Sequence, residues 1–515
     1  MTRHSLPGRW LPTGSDWPDP PCFSSRHATA RCGDLRHPQH RWRVNRPCCG
    51  QRPMPASPWH VPNSAIRRRE GLDRSHDVAY ALRLSQCPLP NWPMETPMEG
   101  GAESVELSGP SAERLANTQR VIAALGPHGQ LSLADLRSST GLSRPTLTAI
   151  LGELSDDGWI VQGDARSGAS SAPGRPARPY SVNPDAGFVA GVDIGLHKVL
   201  VVIVDCTGTV RHQLRHDLDP AAPGDERIAR VQAAITQAAA ALSLRVSELL
   251  GLCLGVPGIV DESGRITRSS VIPDWTGFHV GRAVSKWSGC TVDVVNDANL
   301  AAAGERWAGA ARLRDDVIYV LAGRRVSAGL IIGGQVHRGR NGASGEIGSA
   351  PAMFVDPPAI LLGESASQDD PRIPEVFARA AEGDQDAQER VTQLCHRLGF
   401  TVENLAKILD PDVVVLGGGL SLAGAPLLEG VRAAVTFNDD VAPPIVLGEL
   451  AETAVALGGA HAAFLTAARA DARLRPLASA PAVLLAQPAG AHSGAPEPTP
   501  GELRVNDRSE TGRTG

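Results

Sequence analysis

The sequence lacks any apolar run of the roughly 20 residues that a membrane-spanning helix needs. Its longest apolar stretches are strand-like and are interrupted by glycine or charge, and none near the N-terminus has the form of a secretory signal. Lysine is scarce, because Lys198, Lys286 and Lys407 are the only ones, and we attribute this to coding bias rather than to function. We therefore expect a soluble, cytoplasmic protein without a membrane partner, and 515 residues are enough for two or three domains.

The two ends of the chain lack the periodic apolar pattern of helices and strands. Residues 1–93 hold 14 arginines and six acidic residues, a formal charge of +8 in a chain whose total is −5. Five of the nine cysteines lie there without a repeated metal-ligand spacing. We therefore favour a disordered basic extension over residues 1–105 rather than a nucleic-acid-binding arm or a Cys/His metal site. Residues 471–515, rich in Ala, Pro, Gly and Ser, are predicted to be a disordered tail.

Residues 106–183 carry the pattern of three short helices followed by two strands. Ser132 is a candidate cap for the second helix, with Asp135 at its third position, and Gly141 permits a sharp turn after it. Ser143 is a candidate cap for the third helix. The apolar positions of that helix, spaced i, i+3, i+4 and i+7, are Leu147, Ile150, Leu151 and Leu154. A glycine turn between two capped helices predicts a winged helix-turn-helix DNA-binding domain.

The third helix presents polar side chains at its N-terminus, where a recognition helix contacts base edges and phosphates. The two predicted strands flank a basic Gly/Ser/Arg loop, and arginine in such a wing is suited to a minor groove. The candidate DNA-binding residues are Ser143, Arg144, Thr146, Thr148, Arg175 and Arg178. The alternative is a small helical bundle followed by an ordinary linker.

Residues 184–470 alternate buried strands with helices in two similar halves. This order predicts an α/β fold of the actin-like, ribonuclease-H-like type, with two lobes and a cleft between them. The segments VDIG, GVPGIVD, NDANLAAAGE, AGLIIGGQVHRGRNGASGEIG and VVVLGGGLS, in this order, resemble the ROK family of repressors, open reading frames and kinases. With the winged helix in front, residues 115–465 resemble the repressor branch of that family.

The resemblance implies a sugar site. Asp297 matches the aspartate that, in the kinases, hydrogen-bonds a sugar hydroxyl and removes its proton. Asn296 matches a neighbouring sugar contact, Glu346 matches a carboxylate that accepts sugar hydroxyls, and Ser269 is a further candidate ligand-binding residue. The alternative for Asn296 and Asp297 is a strand-end turn followed by a helix cap.

The chain departs from the family pattern in two places. Where the family continues with a histidine and a cysteine-rich zinc segment, this chain has Ser349 and no cysteine over residues 351–394, with only Glu364 as a stand-in carboxylate, so we expect no bound metal. In the first phosphate loop, Leu196 and His197 stand where the kinase pattern of the family has glycine and threonine. The second phosphate loop carries arginines. We interpret the remaining phosphate-loop residues, Asp193, Gly195, Gly323 and Gly418, as vestigial.

These features predict a sugar-responsive DNA-binding regulator, most simply a repressor, with a non-catalytic ROK domain and no cofactor. Its partners would be double-stranded operator DNA, a small sugar or sugar-phosphate effector, and a second copy of the chain in a homodimer or larger homo-oligomer. One alternative is an ATP-dependent sugar kinase with an appended DNA-binding domain, which would use Mg-ATP and Asp297 as its base. A third hypothesis is a scaffold that has lost its ligand.

Overall fold

The computed structural model describes residues 110–127, 129–164, 178–323, 325–364, 370, 372–437 and 442–480. The predicted extension (1–105), the loop 165–177 with Arg175, and residues 481–515 of the predicted tail lie outside these described residues. Over the described residues, no helix is both long enough and apolar enough to cross a membrane.

The N-terminal module (residues 110–182) consists of three helices and a two-stranded antiparallel sheet. These elements are α1 (Pro110–Leu125), α2 (Leu133–Thr140), α3 (Arg144–Asp156), β1 (Ile160–Gln162) and β2 (Tyr180–Val182). The predicted caps are confirmed: Ser132 and Asp135 form a capping box at α2, Ser143 caps α3, and Gly141 takes a left-handed φ of 70°. The four predicted apolar residues of α3 are buried, so this face forms the core of the module.

The first lobe follows directly. Its elements are β3 (Phe188–Ile194), β4 (Lys198–Asp205), β5 (Val210–Asp217), α4 (Gly224–Ala241), β6 (Gly251–Val256), β7 (Ile259–Val260), β8 (Ile266–Arg268), α5 (Val280–Ser288) and β9 (Val292–Asn296). The five-stranded sheet has the order β5-β4-β3-β6-β9, with β3, β4 and β5 antiparallel and β3, β6 and β9 parallel. Strands β3 and β4 are buried along their whole length, as the continuous apolar sequence predicts.

The second lobe repeats this topology. Its elements are α6 (Asp297–Ala308), β10 (Val317–Ala322), β11 (Val326–Ile332), β12 (Gln335–Val336), α7 (Pro357–Leu362), α8 (Arg372–Ala381), α9 (Gln385–Leu409), β13 (Val413–Gly417), α10 (Ala425–Ala434), β14 (Ile445–Leu447), α11 (Ala454–Ala470) and α12 (Arg475–Ala478). The sheet order is β12-β11-β10-β13-β14, so an antiparallel meander again continues into parallel strands. The two predicted α/β halves are therefore present.

Helices α6 and α11 cross between the two sheets with their backbones in contact. A Cβ on Gly458 of α11 would lie 1.8 Å from the Leu300 carbonyl oxygen of α6, and one on Gly304 of α6 would lie 2.3 Å from the Ala454 oxygen. Strand β3 approaches α11 equally closely, since a Cβ on Gly191 would lie 1.8 Å from the Ala456 oxygen of that helix. Only glycine permits this spacing, because any side chain would have to displace backbone atoms.

The prediction of a disordered tail from residue 471 is wrong for residues 471–480. They form a short 3-10 helix, Ala472–Leu474, followed by α12. Leu474 and Leu477 are buried in the same apolar cluster as Ile122 and Leu125 of α1. Burial of these leucines offsets the entropy lost on ordering. The composition predicted disorder because this segment has few apolar residues, but Leu474 and Leu477 are both buried in one apolar cluster.

We expect Gly458→Ala to destabilise the protein by about 2 kcal/mol or more, because overpacking against a backbone oxygen forces the two helices apart. Gly152→Ala is the matched control: it adds the same methyl group to an exposed helical position of α3 where nothing lies within 4 Å. That change should stabilise slightly, since alanine is the better helix former. Thermal and urea unfolding of both variants measure the difference, and an unchanged midpoint for Gly458→Ala would contradict the close contact.

Candidate functional site

A cavity of about 670 Å³ lies between the two lobes. Its walls come from the β3–β4 turn, the N-terminus of α6, the β10–β11 turn, the segment 346–349 and the N-terminus of α11. Six of the eight predicted ligand-binding and phosphate-loop residues line it: Asp193, Gly195, Asp297, Gly323, Glu346 and Gly418. Residues separated by more than 200 positions in the chain therefore face one space.

Asn296 caps α6 and holds the residues beside the cavity. Its Oδ1 accepts a hydrogen bond from the N–H of Asn299 at 3.1 Å. Its Nδ2 donates to the carbonyl oxygen of Gly258 and to Oδ1 of Asp297, each at 3.1 Å. Asn296 is buried and is not among the lining residues, so the helix-cap alternative describes its geometry. It positions Asp297 rather than facing the cavity itself.

Asp297 is the first residue of α6 and faces the cavity, where its Oδ1 also accepts the N–H of Ala298 at 2.8 Å. Burial raises the pKa of Asp297 to about 8, and the nearby carboxylates of Asp193 and Glu346 act in the same direction. At neutral pH this carboxyl group therefore holds a proton, and it can both donate to and accept from a sugar hydroxyl. The sequence alone suggested an acceptor only.

Ser269 lies just outside the cavity. Its hydroxyl donates to the Pro257 carbonyl oxygen at 2.7 Å and accepts the N–H of Ile272 at 3.0 Å. These two bonds fix the loop after β8, and the neighbouring Ser270 and Val271 line the cavity instead.

An ion-pair network that the sequence does not predict lines the cavity. Lys198 is buried, and its Nζ lies 3.6 Å from Oδ2 of Asp193 and 3.5 Å from Oε2 of Glu452. Arg215 Nη1 contacts the same Glu452 oxygen at 2.5 Å. Burial favours a higher pKa for Glu452, but the two cations outweigh it and hold the pKa below its usual value. No local sequence motif predicts this network, because Glu452 meets Lys198 of β4 and Arg215 of β5 only in the folded chain.

Glu346 also lines the cavity. Burial raises its pKa, and the positive charges of Arg268 and Arg325 oppose that rise. Ser349, which replaces the histidine expected of the family, lines the cavity and donates to the Glu346 carbonyl oxygen at 2.7 Å. Glu364 pairs with Arg372 at 2.8 Å and is not among the lining residues.

The β3–β4 turn, which holds the first phosphate-loop positions, is fixed by hydrogen bonds within the first lobe. The N–H of Gly195 donates to the Lys198 carbonyl oxygen at 2.9 Å, and the side chains of Leu196 and His197 line the cavity. Buried Arg227 holds this turn by donating to the carbonyl oxygens of Gly195 and Leu196 at 3.1 and 2.9 Å. The turn is thus fixed with the Leu196 and His197 side chains beside the cavity.

The residues that the family pattern assigns to zinc do not fit that metal. Ser349 and its neighbours offer neither an imidazole nor a thiolate. Among the residues that the structure describes, no cluster of three or more His, Cys, Asp or Glu side chains could hold a metal ion.

The candidate DNA-binding residues that the structure describes lie in the N-terminal module and are not among the residues that line the cavity. Arg144 and Thr148 are exposed on α3, and Arg178 is exposed next to β2. The Ser143 hydroxyl is 2.8 Å from Thr146 Oγ1, and Thr148 Oγ1 donates to the Arg144 carbonyl oxygen at 2.9 Å. Arg144 and Arg178 therefore extend as charged side chains, while the hydroxyl groups stabilise the start of the helix.

Comparison with known proteins relates this architecture to one family. The sequence model of the ROK family matches residues 189–360 and 358–438. A xylose repressor of Caldicellulosiruptor bescii is 23% identical over 363 residues, which cover 64% of this chain and 90% of that protein. A glucokinase of Halalkalibacterium halodurans is 27% identical over 228 residues, or 36% of this chain and 66% of the enzyme.

Among solved structures, a ROK family transcriptional regulator described as a homolog of the E. coli MLC protein has a similar fold. Its TM-score is 0.51 at 20% identity, with 71% of this chain and 98% of that chain covered. This similarity confirms the predicted ROK sugar-kinase-like α/β fold.

The raised pKa of Asp297 predicts a pH-dependent effect of Asp297→Asn. In wild type, the folded state keeps the Asp297 proton above pH 4 while the unfolded state releases it, so stability is lost as pH rises toward about 8. Asparagine does not titrate and can still accept the two hydrogen bonds on Oδ1. The variant should therefore gain stability relative to wild type between pH 5 and pH 9.

Urea unfolding at pH 5, 7 and 9 measures this difference, with Glu382→Gln as a control at an exposed carboxylate. A difference between Asp297→Asn and wild type that stays constant with pH would show that the Asp297 carboxyl is not protonated in the folded protein.

Proposed function

The chain carries a domain of the ROK family, and from this premise we propose that it is a sugar-responsive transcriptional repressor. In this proposal a sugar binds in the cavity between the lobes, and the N-terminal module is a winged helix that binds operator DNA. The chain acts as a homodimer, so that two modules contact a two-fold operator. Sugar binding changes DNA affinity because the ligand binds unequally to the two arrangements of the modules.

The observation that carries the proposal is the course of α11. Ala454 and Val455, at its N-terminus, line the cavity, and its C-terminus leads into residues 471–480, which contact the N-terminal module. A helix of 17 residues spans roughly 25 Å as one rigid element. The ligand cavity and the proposed DNA-binding module are thus joined by a single helix.

Three contacts fasten residues 471–480 to the N-terminal module. Gln119 Nε2 of α1 donates to the Ala472 carbonyl oxygen at 2.8 Å. Arg473 Nη1 donates to Oδ2 of Asp157 at 2.8 Å, and its guanidinium lies 4.8 Å from the centre of the Trp159 ring. A displacement of α11 would therefore move α1 and the end of α3 together.

The same segment is fastened to the lobes. Trp307 Nε1 of α6 donates to the Ala480 carbonyl oxygen at 2.9 Å, and the Trp307 ring stacks on His461 of α11 at 4.8 Å. Burial lowers the pKa of His461 to about 3, so this imidazole stays neutral and packs as an aromatic ring. Residues 471–480 thus contact both helices that begin at the cavity.

The geometry of α3 supports the winged-helix assignment. The helix begins at a capped turn, buries one face, and exposes Arg144 and Thr148 on the other. Its first turn contains no acidic residue, so the positive end of the helix dipole and Arg144 both favour a phosphate. Arg178 adds positive charge beside the short sheet. Arg175 belongs to the same proposed wing.

We propose that the ROK domain senses without phosphorylating and needs no metal or nucleotide cofactor. The support is the β3–β4 turn, where Leu196 and His197 line the cavity at the position that the phosphates would approach. Arg325 lines it from the second phosphate loop. A kinase remains the second candidate, because Asp193 and Asp297 both line the cavity and could serve as a magnesium ligand and a base.

Neutralising Arg144 should weaken DNA binding and its salt dependence. If Arg144 contacts a phosphate, Arg144→Ala lowers the slope of log affinity against log salt by about 0.9 per chain. Fluorescence anisotropy with a duplex selected from a random-sequence library measures both quantities. Arg245→Ala, which removes an exposed arginine of the first lobe, is the control and should change neither. An unaltered slope for Arg144→Ala would remove this residue from the DNA interface.

The sensor proposal predicts that one sugar both raises the melting temperature and changes the DNA affinity. Ligand binding to the folded state alone must raise the melting temperature. With that sugar, ATP and Mg²⁺, no phosphosugar should form above the level of an Asp297→Asn control. Steady phosphosugar production by wild type that vanishes in Asp297→Asn would establish the kinase instead. A sugar that binds tightly yet leaves DNA affinity unchanged would contradict the coupling.

A further inference from the structure

Two arginines face the cavity from opposite lobes. Arg268 ends β8 of the first lobe, and Arg325 lies in the β10–β11 turn of the second. Within the part of the chain that the structure describes, neither guanidinium has a hydrogen-bond or ion-pair partner. Arg325 lies over the Phe354 ring, 5.7 Å from its centre, which holds the side chain in place without neutralising it. Both are exposed to the cavity solvent.

The other strong charges around the cavity are already paired. Lys198 and Arg215 are engaged with Asp193 and Glu452, and Asp370 is paired with Arg372 at 2.8 Å. Within these ion pairs, the positive and negative charges cancel. The charge still available to a ligand therefore comes from Arg268 and Arg325 on the positive side, and from Asp297 and Glu346 on the negative side.

Of the two remaining acids, Asp297 contributes little negative charge at neutral pH, and Glu346 can offset at most one of the two arginines. The pKa of Asp297 is raised to about 8, whereas burial raises the pKa of Glu346 and the charges of Arg268 and Arg325 oppose that rise. A carboxyl group that keeps its proton can still exchange hydrogen bonds with a sugar hydroxyl. The uncompensated charge in the cavity is therefore positive.

We propose that the natural ligand is an anionic sugar, with hydroxyl groups bound by Asp297 and Glu346 and a phosphate or carboxylate group bound by Arg268 and Arg325. This inference rests on the proposed function, since it takes the cavity to be the sugar site. The planar guanidinium matches the oxygens of a phosphate or a carboxylate in pairs, which a solvated lysine would not do. Because the two arginines belong to different lobes, one anion held by both would also tie the lobes together.

The test is a binding titration of the full chain, by calorimetry and melting temperature, with matched neutral and anionic sugars. The panel contains glucose, glucose 1-phosphate, glucose 6-phosphate and glucuronate, together with xylose and xylose 1-phosphate. We expect at least one anionic member to bind 10-fold or more tightly than its neutral parent, and the phosphate and glucuronate arms distinguish the two kinds of anion. Inorganic phosphate should compete with that member.

The variants Arg268→Gln and Arg325→Gln should each reduce this preference several-fold, and the double variant should bind the anionic sugar about as weakly as the neutral parent. Arg265→Gln is the matched control, because Arg265 is exposed three residues from Arg268 and does not line the cavity. Unchanged melting temperatures without ligand would show that the variants fold.

The outcomes separate this inference from the proposed function. Equal affinity for neutral and anionic sugars, or a preference that survives the double variant, overturns the arginine site and leaves a neutral-sugar sensor. Failure of every sugar in the panel to bind overturns the inference together with the sugar-sensing proposal.

Discussion

The close contact between α6 and α11 is the constraint on which the rest of the structure depends. Each helix packs on the sheet of one lobe, and glycines at 304 and 458 let the two backbones touch. The contact fixes the distance between the sheets and brings the N-termini of both helices to one cavity. Glu305, buried in α6, reinforces it, because its carboxylate accepts the N–H groups of Ala310, Glu449 and Leu450 at 2.7 to 3.1 Å.

The charge properties of the cavity follow from this crossing. Asp297 begins α6 in a space already occupied by the Asp193 and Glu346 carboxyl groups, so desolvation and like charge favour its protonated form. Lys198 lies between Asp193 and Glu452, which reach it from β3 and from the segment before α11. The same fold can therefore host an enzyme or a sensor, and the side chains on its turns decide between them.

The packed helices α6 and α11 also connect the cavity of the proposed sensor to the N-terminal module. Both helices start at the cavity and reach residues 471–480, where Arg473 and Gln119 connect them to the N-terminal module. We expect two helices packed in backbone contact to move as one body, since close-packed interiors transmit displacement rather than absorb it. A ligand that shifts the lobes would thus also displace α1 and α3.

The sequence by itself determined the local structure: the caps Ser132 and Ser143, the turn at Gly141, the apolar face of α3 and the order of the two α/β halves. These features depend on neighbouring residues and on a fixed helical or strand period. Motif order also predicted that Asp193, Asp297 and Glu346 share one site, because each belongs to a segment that resembles the ROK family.

Only the tertiary structure decided the roles that depend on distant residues. It assigned Asn296 to a helix cap, placed Ser269 outside the cavity, paired Lys198 with Glu452, and brought Arg268 and Arg325 to one cavity. It also ordered residues 471–480, whose few apolar side chains are buried against α1. Charge state, pairing and burial are properties of three-dimensional neighbours, and no spacing along the chain encodes which neighbours those will be.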